Sequence, residues 1–330
     1  MENCYEVHHG GQVKRFKEQF KCHFLDFSAS LNPLAPDLAL PSDVTQIKEY
    51  PDDSFQILKE KIAHFHNRRP NEVVVGNGSA EIIRSFCHAF LKGNTKTYIP
   101  QPSFGEYAHS ARICGSDIIN NNHGAAATFL CNPNNPTGEL CHRADVLAYL
   151  NEIKKDEGLL FVDEAFIDLA QPSDSVADVS DENLFIMRSL TKSFAIPGIR
   201  FGYGLGTPSL VAKMEMIRPP WSVNAVAEQM AIEAFSRFDD LIVSRSYIKR
   251  ERNYLQDQIF EMNLMCYPAS ANFILIRVGK PVQKLCSDMA KKGILIRDCS
   301  SFGLPECIRI AVRRHDENEM LVESLIQCLQ

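Results

Sequence analysis

The sequence predicts an α/β protein: a large domain with a mostly parallel sheet between helices, plus a smaller α+β domain. Three observations carry that expectation. Several short runs are apolar at every position, as strands buried on both faces are. Polar or glycine-rich residues follow several of these runs, as they do where an open sheet meets a ligand. The pattern of elements then changes after about residue 230. The large domain is assigned to residues 46–229, and the smaller unit to 1–45 together with 230–330.

The first forty residues read as an arm, with turn residues at Asn32-Pro33, Pro36 and Pro41. Asp52, Asp53 and Ser54 are N-cap candidates for a helix whose Phe55, Leu58, Ile62 and Phe65 share a face. The β-branched run Val73-Val74-Val75 ends at Gly76-Asn77-Gly78-Ser79, and a second helical stretch follows. Buried strands are expected at Thr128–Cys131, Leu159–Val162, Leu184–Met187 and Ile199–Leu205. Residues 120–127 read as a loop. Beyond a long helix over Asp239–Met262, strands are expected at Asn272–Val278, Gly293–Arg297 and Ile308–Arg313. A last helix opens at Asp316, with Glu319 three residues on in a capping-box pattern.

With 45% hydrophobic and 23% charged residues, the composition is that of a globular chain. A formal net charge of −6 argues against a nucleic-acid binder, which needs a basic surface. The eleven cysteines contain no C-x-x-C pair, which leaves a zinc site without support. The start lacks the features of a secretory leader, and no apolar run approaches the length of a membrane span. A cytoplasmic protein with free thiols is the expectation.

The chemistry concentrates at strand ends. Lys192, in Ser189-Leu190-Thr191-Lys192-Ser193, follows directly on a buried strand, with Arg200 eight residues later. Alone it reads as a solvated loop lysine. A lysine desolvated beside other cations is instead a neutral nucleophile that forms an imine with an aldehyde. Ser189, Thr191 and Arg200 are suited to a phosphate beside it. Asn132-Pro133-Asn134-Asn135-Pro136-Thr137-Gly138 is either a plain turn or part of the same site. Asp163, at the end of an apolar strand, is either a helix cap or a counter-ion for a ligand cation such as a protonated pyridine nitrogen. Gly76-Asn77-Gly78-Ser79-Ala80 is a phosphate cradle at a helix start or an ordinary turn.

Together these segments resemble the fold-type-I pyridoxal-5′-phosphate (PLP) enzymes of the aspartate aminotransferase superfamily. The nearer likeness is to the L-threonine-O-3-phosphate decarboxylases of cobalamin biosynthesis, with the histidinol-phosphate aminotransferases as near relatives. It runs from His9 to the last helix. Four segments favour the decarboxylase branch: His9-Gly10-Gly11 with Asp26–Leu34; Asp163–Asp168, with Phe166 where aminotransferases usually have tyrosine; Ala195-Ile196-Pro197-Gly198; and Pro220–Ala225. The stretch between Ser116 and Cys131 departs from the pattern, being too short for a helix that relatives carry there.

The resemblance implies roles. Lys192 holds PLP as a Schiff base and Asp163 pairs with its pyridinium. Asn132 bonds the 3-hydroxyl oxygen, and Phe104 stacks on the ring. Gly78, Ser79, Ser189, Thr191 and Arg200 surround the phosphate, and Tyr50 reaches the PLP phosphate of a second subunit in a homodimer. His9, Asn32, Arg297 and Arg309 hold a phosphorylated amino-acid substrate. The implied reaction is decarboxylation of L-threonine O-3-phosphate. The alternatives are decarboxylation of L-serine O-phosphate, transamination of histidinol phosphate, and a PLP-binding regulatory domain without catalysis.

Overall fold

The structure is a computed structural model and describes residues 10–11, 24–40 and 48–329. In chain order its strands are β1 (Leu25–Asp26), β2 (Val73–Gly76), β3 (Lys96–Tyr98), β4 (Asp117–Ile119), β5 (Ala127–Cys131), β6 (Leu159–Asp163), β7 (Leu184–Arg188), β8 (Gly202–Leu205), β9 (Met265–Cys266), β10 (Phe273–Arg277), β11 (Ile294–Leu295), β12 (Arg297–Asp298) and β13 (Cys307–Ala311). Seven form one sheet in the order β2-β8-β7-β6-β5-β3-β4. The run from β7 to β4 is parallel, and only β8 pairs antiparallel with its neighbours β7 and β2.

The alternation of side chains along these strands explains their continuous apolarity. Val73 and Val75, Leu160 and Val162, and Leu184 and Ile186 enter one hydrophobic cluster. Val74, Phe161 and Phe185 enter another on the opposite face. The second cluster is aromatic: Phe86 of helix Ser79–Phe90 meets Phe161 and Phe185 at centroid distances of 4.8 and 5.4 Å. With both faces buried, neither can afford polar residues, which is why these strands were readable.

A four-stranded antiparallel sheet, ordered β12-β13-β10-β9, holds the later part of the chain. The N-terminal segment lies against it without being one of its strands. β1 pairs parallel with β11, and the Ala311 N–H donates to Phe27 O at 2.8 Å.

Several boundaries differ from expectation. Helix Gln56–Phe65 is not capped by Asp52, Asp53 or Ser54; Phe55 precedes it with φ 48°, its ring fully buried. Asp52 instead accepts from the Ser54 N–H and hydroxyl, so core packing of Phe55 overrides the local cap. The expected strand Gly293–Arg297 breaks at Ile296, half pairing with β1 and half with β13. The last helix is His315–Leu329, and at its start Glu317, not Glu319, accepts from a backbone N–H, that of Arg314, without the reciprocal bond of a full box. Between Ser116 and Cys131 lie β4, a loop and β5, without a helix. Among the described residues, no helix is long and apolar enough to cross a membrane, and no cluster of His, Cys, Asp or Glu could hold a metal ion.

Candidate active site

The parallel strands β5, β6 and β7 end side by side: Cys131 is the register partner of Asp163, and Asp163 of Met187. The carboxyl end of a parallel sheet is where such folds hold ligands. A cavity of about 190 Å³ opens there, with Asp163, Ser189, Thr191 and Lys192 in its wall.

Lys192 sits in the short helix Leu190–Ser193 that Ser189 caps, accepting from the Thr191 N–H at 3.3 Å. Burial, then the Arg309 and Arg200 cations, push its ammonium down to about 8. Partial removal from water and the two guanidinium groups raise the share of neutral amine above that of an ordinary lysine, the ammonium still predominating below about pH 8. Asp163 is 4% exposed. Burial pushes it up to about 6, although the Tyr107 hydroxyl and the Ala165 N–H both donate to its carboxylate.

The turn carrying Lys192 is fixed from behind. Arg188 is buried between Glu164, at 2.9 Å, and Asp168, and Asp168 accepts from the Ser193 hydroxyl at 3.2 Å. Asn32 closes the same clamp. Its N–H donates to Lys192 O at 3.0 Å, and its amide to Ser193 O and Ser244 Oγ at 2.8 and 2.9 Å. Asn32 therefore does not line the cavity, contrary to its expected substrate role. Ser30, two residues earlier, does: it is 2% exposed and its hydroxyl has no hydrogen-bond partner. His9 lies outside the described residues.

A second correction concerns the asparagines. Asn132 was expected to face the ligand, but its amide is spent on Cys141, donating to the carbonyl and accepting from the N–H at 2.8 Å each. Asn135 lines the cavity instead and accepts from Arg309. The repeated Asn-Pro step offered both candidates, and only the backbone pairing of the turn separates them.

The phosphate-cradle residues converge. Ser79, Ser189, Thr191 and Arg200 all line the cavity. Gly78 has φ +82°, which favours glycine, and a Cβ there would stand 2.2 Å from Arg200 Nη2 and displace the end of the guanidinium. Phe104 lines the cavity, as do Arg297 and Arg309. Arg309 also donates to Ser28 O at 3.1 Å, and burial pushes its guanidinium down to about 10. Tyr50 lies elsewhere, 82% exposed and packed on Trp221 with centroids 4.6 Å apart. Tyr107, Ser30, Asn135 and Arg188 are the residues that sequence reasoning missed. Each was hidden by having an ordinary core or loop role available.

The model of the family "Aminotransferase class I and II" matches residues 35–325. The chain belongs to the class I and II aminotransferases. A histidinol-phosphate aminotransferase of Symbiobacterium thermophilum is 30% identical over 316 residues, covering 89% of this chain and 87% of that protein. A protein of Caldanaerobacter subterraneus subsp. tengcongensis, provisionally named threonine-phosphate decarboxylase, is 33% identical over 353 residues, covering 96% of this chain and 92% of that one. A structure of histidinol-phosphate aminotransferase from Sinorhizobium meliloti, in complex with PLP, superposes with a TM-score of 0.85 at 20% identity, covering 96% of this chain and 94% of that one.

Class I and II aminotransferases are PLP-dependent, and the residues of this chain fit that group. A lysine held near neutrality, a buried carboxylate and a cradle that excludes a Cβ beside Arg200 meet in one cavity. Those are the partners an aldehyde, a pyridinium and a phosphate require.

Proposed function

We propose that this chain is a PLP-dependent decarboxylase that converts L-threonine O-3-phosphate to (R)-1-amino-2-propanol O-2-phosphate and CO₂, a cobalamin side-chain precursor. The observation that carries the reading is the wall beside Lys192. The ring of Phe166 lies 5.9 Å from Lys192 Nζ, while Arg297 and Arg309 are gathered on neighbouring strands. A carboxylate against an apolar ring is destabilised relative to neutral CO₂, whereas a phosphate is best held by guanidinium groups.

When bound, PLP supplies an aldehyde for amines and a ring that accepts the electron pair of a bond broken at Cα. Asp163 holds the proton on the ring nitrogen. Ser79, Ser189, Thr191 and Arg200 bind the cofactor phosphate, with Gly78 leaving room for Arg200. Asn135 and Phe104, both in the cavity wall, would contact the cofactor ring, Asn135 in the role expected of Asn132. Arg297 and Arg309 bind the substrate phosphate and orient the carboxylate away from themselves. The neutral Nζ of Lys192 takes part as nucleophile and, once protonated, returns a proton to Cα.

The reading includes a homodimer in a reducing cytoplasm, with Tyr50 reaching a second subunit's cofactor phosphate. It also includes the division into a cofactor-binding unit at 46–229 and a substrate-facing unit made of 1–45 and 230–330. Transamination of histidinol phosphate is the second reading, favoured by the name of the Symbiobacterium relative.

The test is CO₂ release from L-threonine O-3-phosphate by PLP-loaded protein, with Lys192→Ala as control. Release by wild type alone supports the proposal. No CO₂, but glutamate formed from 2-oxoglutarate and histidinol phosphate, overturns it in favour of transamination.

A further inference from the structure

We propose that Tyr107 is a positioning residue for the cofactor ring: its hydroxyl keeps the Asp163 carboxylate charged, and through it keeps the ring nitrogen protonated. This rests on the reading of Asp163 as the partner of that nitrogen.

Tyr107 is fully buried in the helix Gly105–Ile113, three residues after Phe104. Its ring stacks on Phe129 with centroids 5.2 Å apart and planes 19° apart, and Phe104 meets it edge-on at 5.5 Å. Two rings therefore fix the direction of its hydroxyl, which donates to Asp163 Oδ2. The other oxygen, Oδ1, accepts from the Ala165 N–H at 2.9 Å. One helical turn thus carries both the aromatic that faces the cavity and the donor that reaches the acid behind it.

The remaining groups facing Asp163 do little to hold its charge. Cys131 is kept a neutral thiol by burial and by Asp163 itself. Glu164 is a like charge, occupied with Arg188, Ser175 and the Val176 N–H. Lys192 favours the carboxylate only as a free ammonium, less than the Tyr107 and Ala165 donors do, and gives up that form when its nitrogen takes up an aldehyde. Burial already pushes Asp163 up to about 6, so its ionisation near neutral pH depends on its donors. Without the phenol, the proton shared with the ring nitrogen would move to the carboxylate: an N–H bond would break and an O–H bond form, with no electrons exchanged. A neutral ring nitrogen is a weaker electron acceptor.

Tyr107→Phe removes the hydroxyl and keeps the ring. With PLP labelled by ¹⁵N in its ring, the bound-cofactor resonance of Y107F is expected to move toward the unprotonated position at neutral pH. PLP affinity should fall roughly 10-fold and kcat roughly 10- to 100-fold, KM staying within about two-fold, as for loss of a hydrogen bond to a charged group. Asp163→Asn is the reference. If D163N loses the protonated signal while Y107F keeps the wild-type resonance and affinity, the role of Tyr107 is overturned and that of Asp163 stands. If D163N also keeps them, the reading of Asp163 fails and this proposal fails with it. Should Y107F not fold, D163N is compared with D163N/Y107F, where no buried carboxylate lacks a donor. Equal resonance and affinity are expected, and a further change from Y107F overturns the proposal.

Discussion

Arg297 and Arg309 are register partners across the β12–β13 ladder, and both line the cavity that contains Lys192. Directly opposite residues of an antiparallel pair share a face, so two like charges there oppose folding. The protein tethers each: Arg297 donates to Ser301 Oγ at 2.7 Å and lies over Phe302, and Arg309 donates to Asn135 and Ser28 O. A dianion between them would relieve the repulsion. With the Arg200 cradle filled by PLP, inorganic phosphate should therefore raise the melting temperature of wild type, but not that of Arg297→Ala or Arg309→Ala. Each variant should raise KM for the phosphorylated substrate on the order of 10- to 100-fold, with PLP affinity retained, in steady-state assays and cofactor titrations.

Cofactor capture should follow the ionisation of Lys192. Only the free amine attacks an aldehyde, and burial beside Arg309 and Arg200 brings Lys192 from 10.5 to about 8. The rate at which the apoprotein develops the PLP absorbance band should climb through about pH 8 and then level. A continued climb towards pH 10 would show an ordinary lysine. The unfolded chain binds the extra proton between those two values, so this group's contribution to apoprotein stability rises with pH across the same window.

Asn132 and Asn135 separate folding from function. Asn132→Ala leaves the N–H and C=O of Cys141 without their partner, and should cost about 2 kcal/mol in denaturant unfolding. Asn135→Ala removes an acceptor of Arg309 at the cavity. It should change the absorbance of bound PLP and the KM for substrate while unfolding close to wild type.

Gly78→Ala should weaken the cofactor phosphate site. The backbone holds φ +82°, which costs an alanine about 1 kcal/mol, and the new methyl displaces Arg200. Arg200 is exposed and can shift, so the fold should survive. PLP dissociation, followed by fluorescence, should be roughly tenfold tighter in wild type than in the variant.

What could be read from the sequence follows from burial. β5, β6 and β7 were legible because packing on both faces leaves them mostly apolar, whereas β8, expected from Ile199, begins only at Gly202 after a turn at Pro197–Ile199. β3 and β4 were not, since Lys96 and Asp117 are exposed at the sheet's margin and the strands are three residues long. The site followed the same logic. Lys192, Asp163 and the phosphate residues carry charge or hydroxyls at strand ends, where polarity stands out. Asn132 and Asn32 carry the same chemistry, yet backbone groups absorb it, and nothing in a residue's type shows which way its amide turns. Ser30 and Tyr107 were passed over for the converse reason: a serine in an arm and a tyrosine on a helix have ordinary explanations until the structure shows where their hydroxyls go.

Trp221 is the one tryptophan in the sequence, and its ring lies tilted against that of Tyr50 in a surface corner where it is 48% exposed. Ultraviolet emission from this protein is therefore a local optical probe. It reports on the surroundings of Tyr50, with no background from a second indole. Docking of another molecule over that corner would shift the emission to shorter wavelength with no label attached, and dilution would return it.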